Sequence, residues 1–178
     1  MAGSSRISRR RFLVLGAAGL LRPTGRAAAT DGAKTLAFYN LHTGEFERAA
    51  YWVDGGYVPD ALRRFDWLLR DYRTDEVREI DRGLLDLLSA LSVTLDTREP
   101  WEMISGYRSP ATNAKLAATT DGVARASLHV KGMAIDIRLP GRSLEALRDS
   151  ARSLRRGGVG YYPRSSFVHV DVGRVRSW

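Results

Sequence analysis

Apolar and polar positions alternate from Leu36 onward. Leu36, Phe38 and Asn40 share one side of an extended segment, and Ala37, Tyr39 and Leu41 share the other. Thr43-Gly44 punctuates the run, so the pattern predicts a β-hairpin with strands near 35–40 and 45–52. The period then changes to the helical one. From about Pro59, Leu62, Phe65, Leu69 and Tyr72 recur at helical spacing, and "EVREIDRGLLDLLSALSVTLD" places Ile80, Leu84, Leu87, Leu88 and Leu91 on one side of a second helix. "WEMISGYRS" reads as a strand ending in a polar turn. "SPATNAKLAATT" reads as a short helix with Ser109 as N-cap and Pro110 at its first position. "GRSLEALRDSARSL" is a further helix, stopped by Gly157-Gly158. The chain ends in two short β segments joined by a Pro-containing turn. These elements predict an α+β fold, with helices packed on one side of a mainly antiparallel sheet.

Two late strands depart from simple amphipathicity. In 134–138, Ile135 and Ile137 point one way, and Ala134, Asp136 and Arg138 the other. In 167–173, Val168, Val170 and Val172 point one way, and Phe167, His169, Asp171 and Gly173 the other. Each strand thus has an aliphatic face for the core and a face bearing acid or imidazole. If the strands are neighbours, Asp136 and His169 share the open face. His129, set just before Gly132 at the mouth of the first strand, can fold over it; a tight approach there calls for a glycine with positive φ.

Length and charge narrow the class. A chain of 178 residues suits one domain with a substantial core. The formal charge of +8 is unevenly spread, because residues 1–29 carry six arginines and no acid. Without those six, 22 of the 28 basic residues remain against 20 acidic ones, a balance of +2 that removes a strong electrostatic case for nucleic acid. "SRRRFLVLGAAGLL" sets the pair Arg9-Arg10 before a short apolar run, and Ala27 and Ala29 have cleavage-site spacing. The run is well short of the ~20 residues a membrane-spanning helix needs. Residues 1–29 therefore read as a twin-arginine (Tat) secretion signal, with 30–178 as the mature domain and no stable membrane insertion after cleavage. The chain has no cysteine, which excludes thiol catalysis and sulfur-held zinc. Any metal must sit on His, Asp or Glu.

A carboxylate amid the isoleucines of one strand costs free energy unless something pairs with it. A metal shared by His129, Asp136 and His169 would pair with Asp136 and leave one position for water, the pattern of a catalytic zinc site. Against that stand two plainer readings, His129 as a loop histidine and Asp136 as the partner of Arg138 or Arg108. His42, in the hairpin turn, reads as structural.

"SLHVKGMAIDI" resembles the Ser-x-His-x-x-Gly-x-Ala-x-Asp motif of zinc peptidases related to D-Ala-D-Ala carboxypeptidases and the hedgehog signalling domain. Ser127, His129, Gly132, Ala134 and Asp136 fall on it. "SGYRS", with Arg108, is similar to the family's preceding arginine motif, and "FVHVDVG" supplies His169. "LAFYNLHTGE" and "HVDVGRVRSW" look closer still to exported murein endopeptidases of the K type. The resemblance implies a zinc hydrolase (Zn2+ held by His129, Asp136 and His169) acting in the periplasm or cell-wall space on peptidoglycan stem peptides and their cross-links. It implies that Arg108 holds the forming oxyanion and that Ser127 orients substrate or a ligand.

The family's general base is missing from both usual places, which here are Ser166 and Phe167. Asp171 shares the face of His169 and is the candidate base; it could equally orient a ligand histidine or pair with Arg174 or Arg176. The missing base keeps alive a non-catalytic metal-containing wall-binding module, and a D,D-carboxypeptidase is a third reading.

Overall fold

The computed structural model of the protein describes residues 1, 32–119, 124 and 126–178. Beyond its first residue, the expected leader at 1–29 lies outside the described residues. Among the described residues, no helix is long and apolar enough to cross a membrane.

The predicted hairpin forms from β1 (Ala33–Asn40) and β2 (Phe46–Val53), followed by the two-residue β3 (Gly56–Tyr57). Helix α1 (Pro59–Leu68) starts on its proline, and α2 (Arg82–Thr94) starts behind Asp81, whose side chain accepts from Gly83 N. The predicted α2 pattern began earlier. Ile80 is buried as expected but lies ahead of the helix, because the Asp81 cap sets the first turn. Next come β4 (Trp101–Ser105), α3 (Pro110–Thr119), a 3-10 turn (Leu128–Lys131), β5 (Ala134–Arg138) and α4 (Leu144–Leu154). Ser109 caps α3 as predicted, accepting from Thr112 N at 3.2 Å. Helix α4 ends earlier than the glycine pair suggested, at Arg155 in the left-handed region. The final elements are β6 (Gly158–Tyr162), β7 (Phe167–Asp171) and β8 (Arg176–Ser177).

The strands form one sheet of order β3-β2-β1-β4-β5-β7-β6-β8. It is mixed, which corrects the expectation of a mainly antiparallel sheet: β4 runs parallel to β1, and β8 parallel to β6. The first parallel pair follows from connectivity. Between β1 and β4 the chain makes a hairpin and then crosses the sheet through α1 and α2, and a crossover of that kind returns a parallel strand.

Alternation assigns the two faces. Phe38, Trp101, Met103, Ile135, Ile137, Val168 and Val170 form one continuous core with Phe65 of α1, Leu84 and Leu88 of α2 and Leu147 of α4. Helices α1, α2 and α4 therefore cover one side, as predicted. Helix α3 departs from that expectation, its Leu116 lining a groove on the opposite face with Asp136 and His169.

Candidate metal centre

Strands β5 and β7 are antiparallel neighbours with Asp136 directly opposite His169, Ile135 opposite Val170 and Ile137 opposite Val168. Matching the aliphatic sides thus puts the acid and the imidazole together on the other face. His129 arrives from the 3-10 turn. Ser127 caps that turn by accepting from His129 N, and Gly132 closes it at φ +69°. A Cβ on Gly132 would stand 2.5 Å from Glu79 O, so both conformation and space require glycine here.

His129, Asp136 and His169 are all buried, and their facing atoms converge. His129 Nε2 lies 3.1 Å from His169 Nδ1 and 3.3 Å from Asp136 Oδ1. His169 Nδ1 lies 2.9 Å from the same Oδ1. The far nitrogens are already committed. His129 Nδ1 donates to Gly106 O at 2.7 Å, and His169 Nε2 donates to Asp171 Oδ2 at 3.0 Å. Both partners only accept, so each ring, once neutral, turns a lone pair inward. Two nitrogen lone pairs and a carboxylate oxygen meet in one small space, an arrangement that calls for a cation.

A tetrahedral ion with bonds of 2.0–2.1 Å holds its ligand atoms ~3.3 Å apart. The three separations, 2.9 to 3.3 Å, come close to that edge length. Nitrogen and oxygen donors also suit zinc. The residues fit the group.

Electrostatics follow the same geometry. Burial alone would raise the Asp136 carboxyl, but the imidazoles of His129 and His169 hold it well below the usual range. Burial lowers His129, with Asp136 pulling the other way. For His169, burial is outweighed by hydrogen bonds to Asp136 and Asp171, and the ring is raised.

Arg108 touches the group from outside. Its Nη2 donates to Asp136 Oδ2, and its Nε donates to Ser105 Oγ at 2.8 Å. Of the two arginines weighed for Asp136, Arg108 is thus the one that pairs with it; Arg138 pairs instead with Glu102. Asp171 is fully buried and accepts from His169 Nε2, both terminal nitrogens of Arg176, Gly158 N and Gly173 N. Burial would raise its carboxyl; those donors, His169 and Arg176 foremost, bring it far down. A Cβ on Gly158 would stand 2.4 Å from Asp171 Oδ2, so a side chain there would displace the carboxylate.

The triad opens into a groove of about 360 Å³. Its lining includes His42, Arg73, Ser127, Tyr162, Phe167 and Trp178. In sequence His42 reads as a structural turn residue. It is anchored as one, its Nε2 donating to Ile104 O at 2.9 Å, yet it also lines the groove. Arg73, Tyr162 and Trp178 gave no signal in sequence. Trp178 packs its ring 5.3 Å from that of His169 and donates from Nε1 to Tyr162 Oη at 2.7 Å.

Residues 28–178 match the family described as peptidoglycan L,D-endopeptidase MepK. The chain belongs to this family. It is accordingly an enzyme, a peptidase, and the resemblance drawn from the 127–136 motif holds. The peptidoglycan L,D-endopeptidase MepK of Escherichia coli K12 is 45% identical over 166 residues, 93% of this chain and 91% of that protein. The probable peptidoglycan L,D-endopeptidase MepK of Haemophilus influenzae is 42% identical over 151 residues, 84% of this chain and 81% of that protein. A peptidyl-tRNA hydrolase of Exiguobacterium is 34% identical over 76 residues, 43% of this chain and 40% of that protein, too short a share to assign a family. No solved structure matches the chain.

Proposed function

We propose that the protein is a zinc-dependent endopeptidase that hydrolyses peptide cross-links of peptidoglycan, cutting at an L,D bond. The observation that carries this reading is the convergence of the inward lone pairs of His129 and His169 with Asp136 Oδ1 at one end of an open groove. The relatives' names supply the substrate. Zinc, when bound, supplies Lewis acidity and a water acidic enough to attack at neutral pH.

The chain's own residues do the rest. His129, Asp136 and His169 are the ligands. Arg108, fixed by Ser105 and Asp136, presents its remaining donors to the carbonyl oxygen of the scissile amide as charge develops there. Ser127 positions His129 by capping its turn. Of the roles weighed for Asp171, orienting His169 is the one its surroundings support. Five donors already surround this carboxylate, and it lies behind the imidazole, on the side away from Asp136. Membership of a peptidase family favours catalysis over a non-catalytic wall-binding module. In the same reading, residues 1–29 export the domain by the Tat route and residues 30–178 act in the periplasm.

Incubating the zinc-loaded protein with purified sacculi and separating the products tests this. Loss of cross-linked dimers linked through L,D bonds supports the proposal. Loss of pentapeptide monomers alone would indicate the carboxypeptidase reading, and unchanged material would indicate the wall-binding one.

A further inference from the structure

Three arginines line the groove, and the guanidinium groups of two are already engaged: Arg108 on Asp136 and Arg176 on Asp171. The third, Arg73, ion-pairs with no carboxylate among the described residues. It lies over the ring of Tyr72, 4.2 Å from its centroid. Tyr72 in turn stacks on His42, with ring centroids 3.9 Å apart and planes within 15°. His42 is tied to β4 through its bond to Ile104 O. The guanidinium is therefore the top of a stacked tier standing on the sheet.

The backbone below it is fixed as firmly. Asp71 is 1% exposed, and its Oδ1 accepts from Arg73 N at 3.1 Å. Its Oδ2 accepts from Ser109 N at 2.9 Å, and its main-chain oxygen accepts from Thr74 N and Asp75 N. One buried carboxylate thus joins the turn that carries Arg73 to the segment that carries Arg108. The sheet order separates this tier from the aromatic side chains of the groove. It stands over β4, whereas Tyr162 and Trp178 rise from or beyond β6 and β8, with Asp136 of β5 and His169 of β7 between.

A cation held in place on a groove wall without an anionic partner is organised for a charge brought by the ligand. We infer that Arg73 is a substrate-anchoring residue that binds a free carboxylate of the peptide lying in the groove. This rests on the peptidase reading above and adds to it the charge of the substrate and the residue that selects it. Because Arg73 stands apart from the triad, it binds the peptide without entering the bond-breaking step, and its loss falls on KM.

Kinetics on a muropeptide dimer with free carboxylates test the inference. Arg73→Gln raises KM by about tenfold or more, as expected for a charge-assisted pair, with kcat within about twofold. Arg73→Lys, which keeps the charge without the planar fork, falls between. Two amidated dimers identify the source, one blocked at the diamino-acid carboxylate and one at the terminal carboxylate. The dimer that lacks the bound group shows the raised KM with the unaltered protein and no further rise with Arg73→Gln. An unchanged KM for Arg73→Gln, or an undiminished loss on both amidated dimers, overturns the inference.

Calorimetric binding of the same dimer to metal-free protein separates this from the peptidase reading. Tenfold weaker binding by Arg73→Gln without any cleavage by the unaltered protein would leave the anchor standing and remove the activity. Cleavage with binding indifferent to Arg73 would do the reverse.

Discussion

His169 donates its Nε2 proton to Asp171 Oδ2 at 3.0 Å, and the two residues stand on the same face of β7. This bond leaves the lone pair of Nδ1 to face Asp136 and His129. On the proposed reading, a residue that read in sequence as a candidate base thus orients a ligand histidine.

Asp171→Asn tests that assignment. An amide keeps only one acceptor oxygen among five donors, so it can hold His169 only by turning its NH2 onto Gly158 N, Gly173 N and Arg176 Nη1, and zinc affinity in a chelator competition falls by about 10–100-fold. An undiminished affinity with turnover abolished at saturating zinc would instead make Asp171 the base.

Trp178 supplies a second view of the site, its ring lying 5.3 Å from that of His169. Titration with Co2+, an open-shell ion that quenches nearby indoles, lowers tryptophan emission in step with binding. Trp178→Phe removes most of the quenching and keeps the stoichiometry. Equal quenching in the variant would put the ion elsewhere.

Gly132→Ala forces a side chain into the left-handed region and against Glu79 O. The cost is about 2 kcal/mol or more in urea unfolding, with weakened zinc binding because the turn carries His129. A change under about 0.5 kcal/mol would contradict the role given to this glycine.

Away from the site, Asp86 accepts from Lys34 Nζ at 2.7 Å, Tyr51 Oη at 2.9 Å and Tyr57 Oη at 2.6 Å. Burial would raise its carboxyl, but these donors lower it. A folded pKa below the unfolded one gives stability that is present above the unfolded value, about 3.9, and is lost as pH falls through the folded one. Asp86→Asn costs about 1–3 kcal/mol at neutral pH and flattens the fall in stability below about pH 5. A pH profile parallel to that of the unaltered protein would exclude the assignment.

The site was readable in sequence where one strand period decided the matter. Ile135 and Ile137 could face the core only if Asp136 faced away, and the valines of β7 placed His169 likewise. The Arg73 wall of the groove followed no such rule. Tyr72 fits the helical spacing of Leu62, Phe65 and Leu69, yet α1 ends at Leu68. Beyond it, Asp71 bonds to Arg73 N, capturing a backbone donor that a continuing helix would have used, and to Ser109 N. The Ser109 partner is distant in sequence, so local pattern gave no hint of it. The parallel β1–β4 pair was hidden for the same reason, since it depends on which edge of β1 the chain reaches after α1 and α2.

On the proposed reading, His129, Asp136 and His169 together hold one divalent ion. Metal analysis of purified residues 30–178, alongside His169→Ala, tests it most directly. One zinc per folded chain is expected, and almost none in the variant, with the fold retained by circular dichroism. A folded His169→Ala protein that keeps its full zinc content would contradict it.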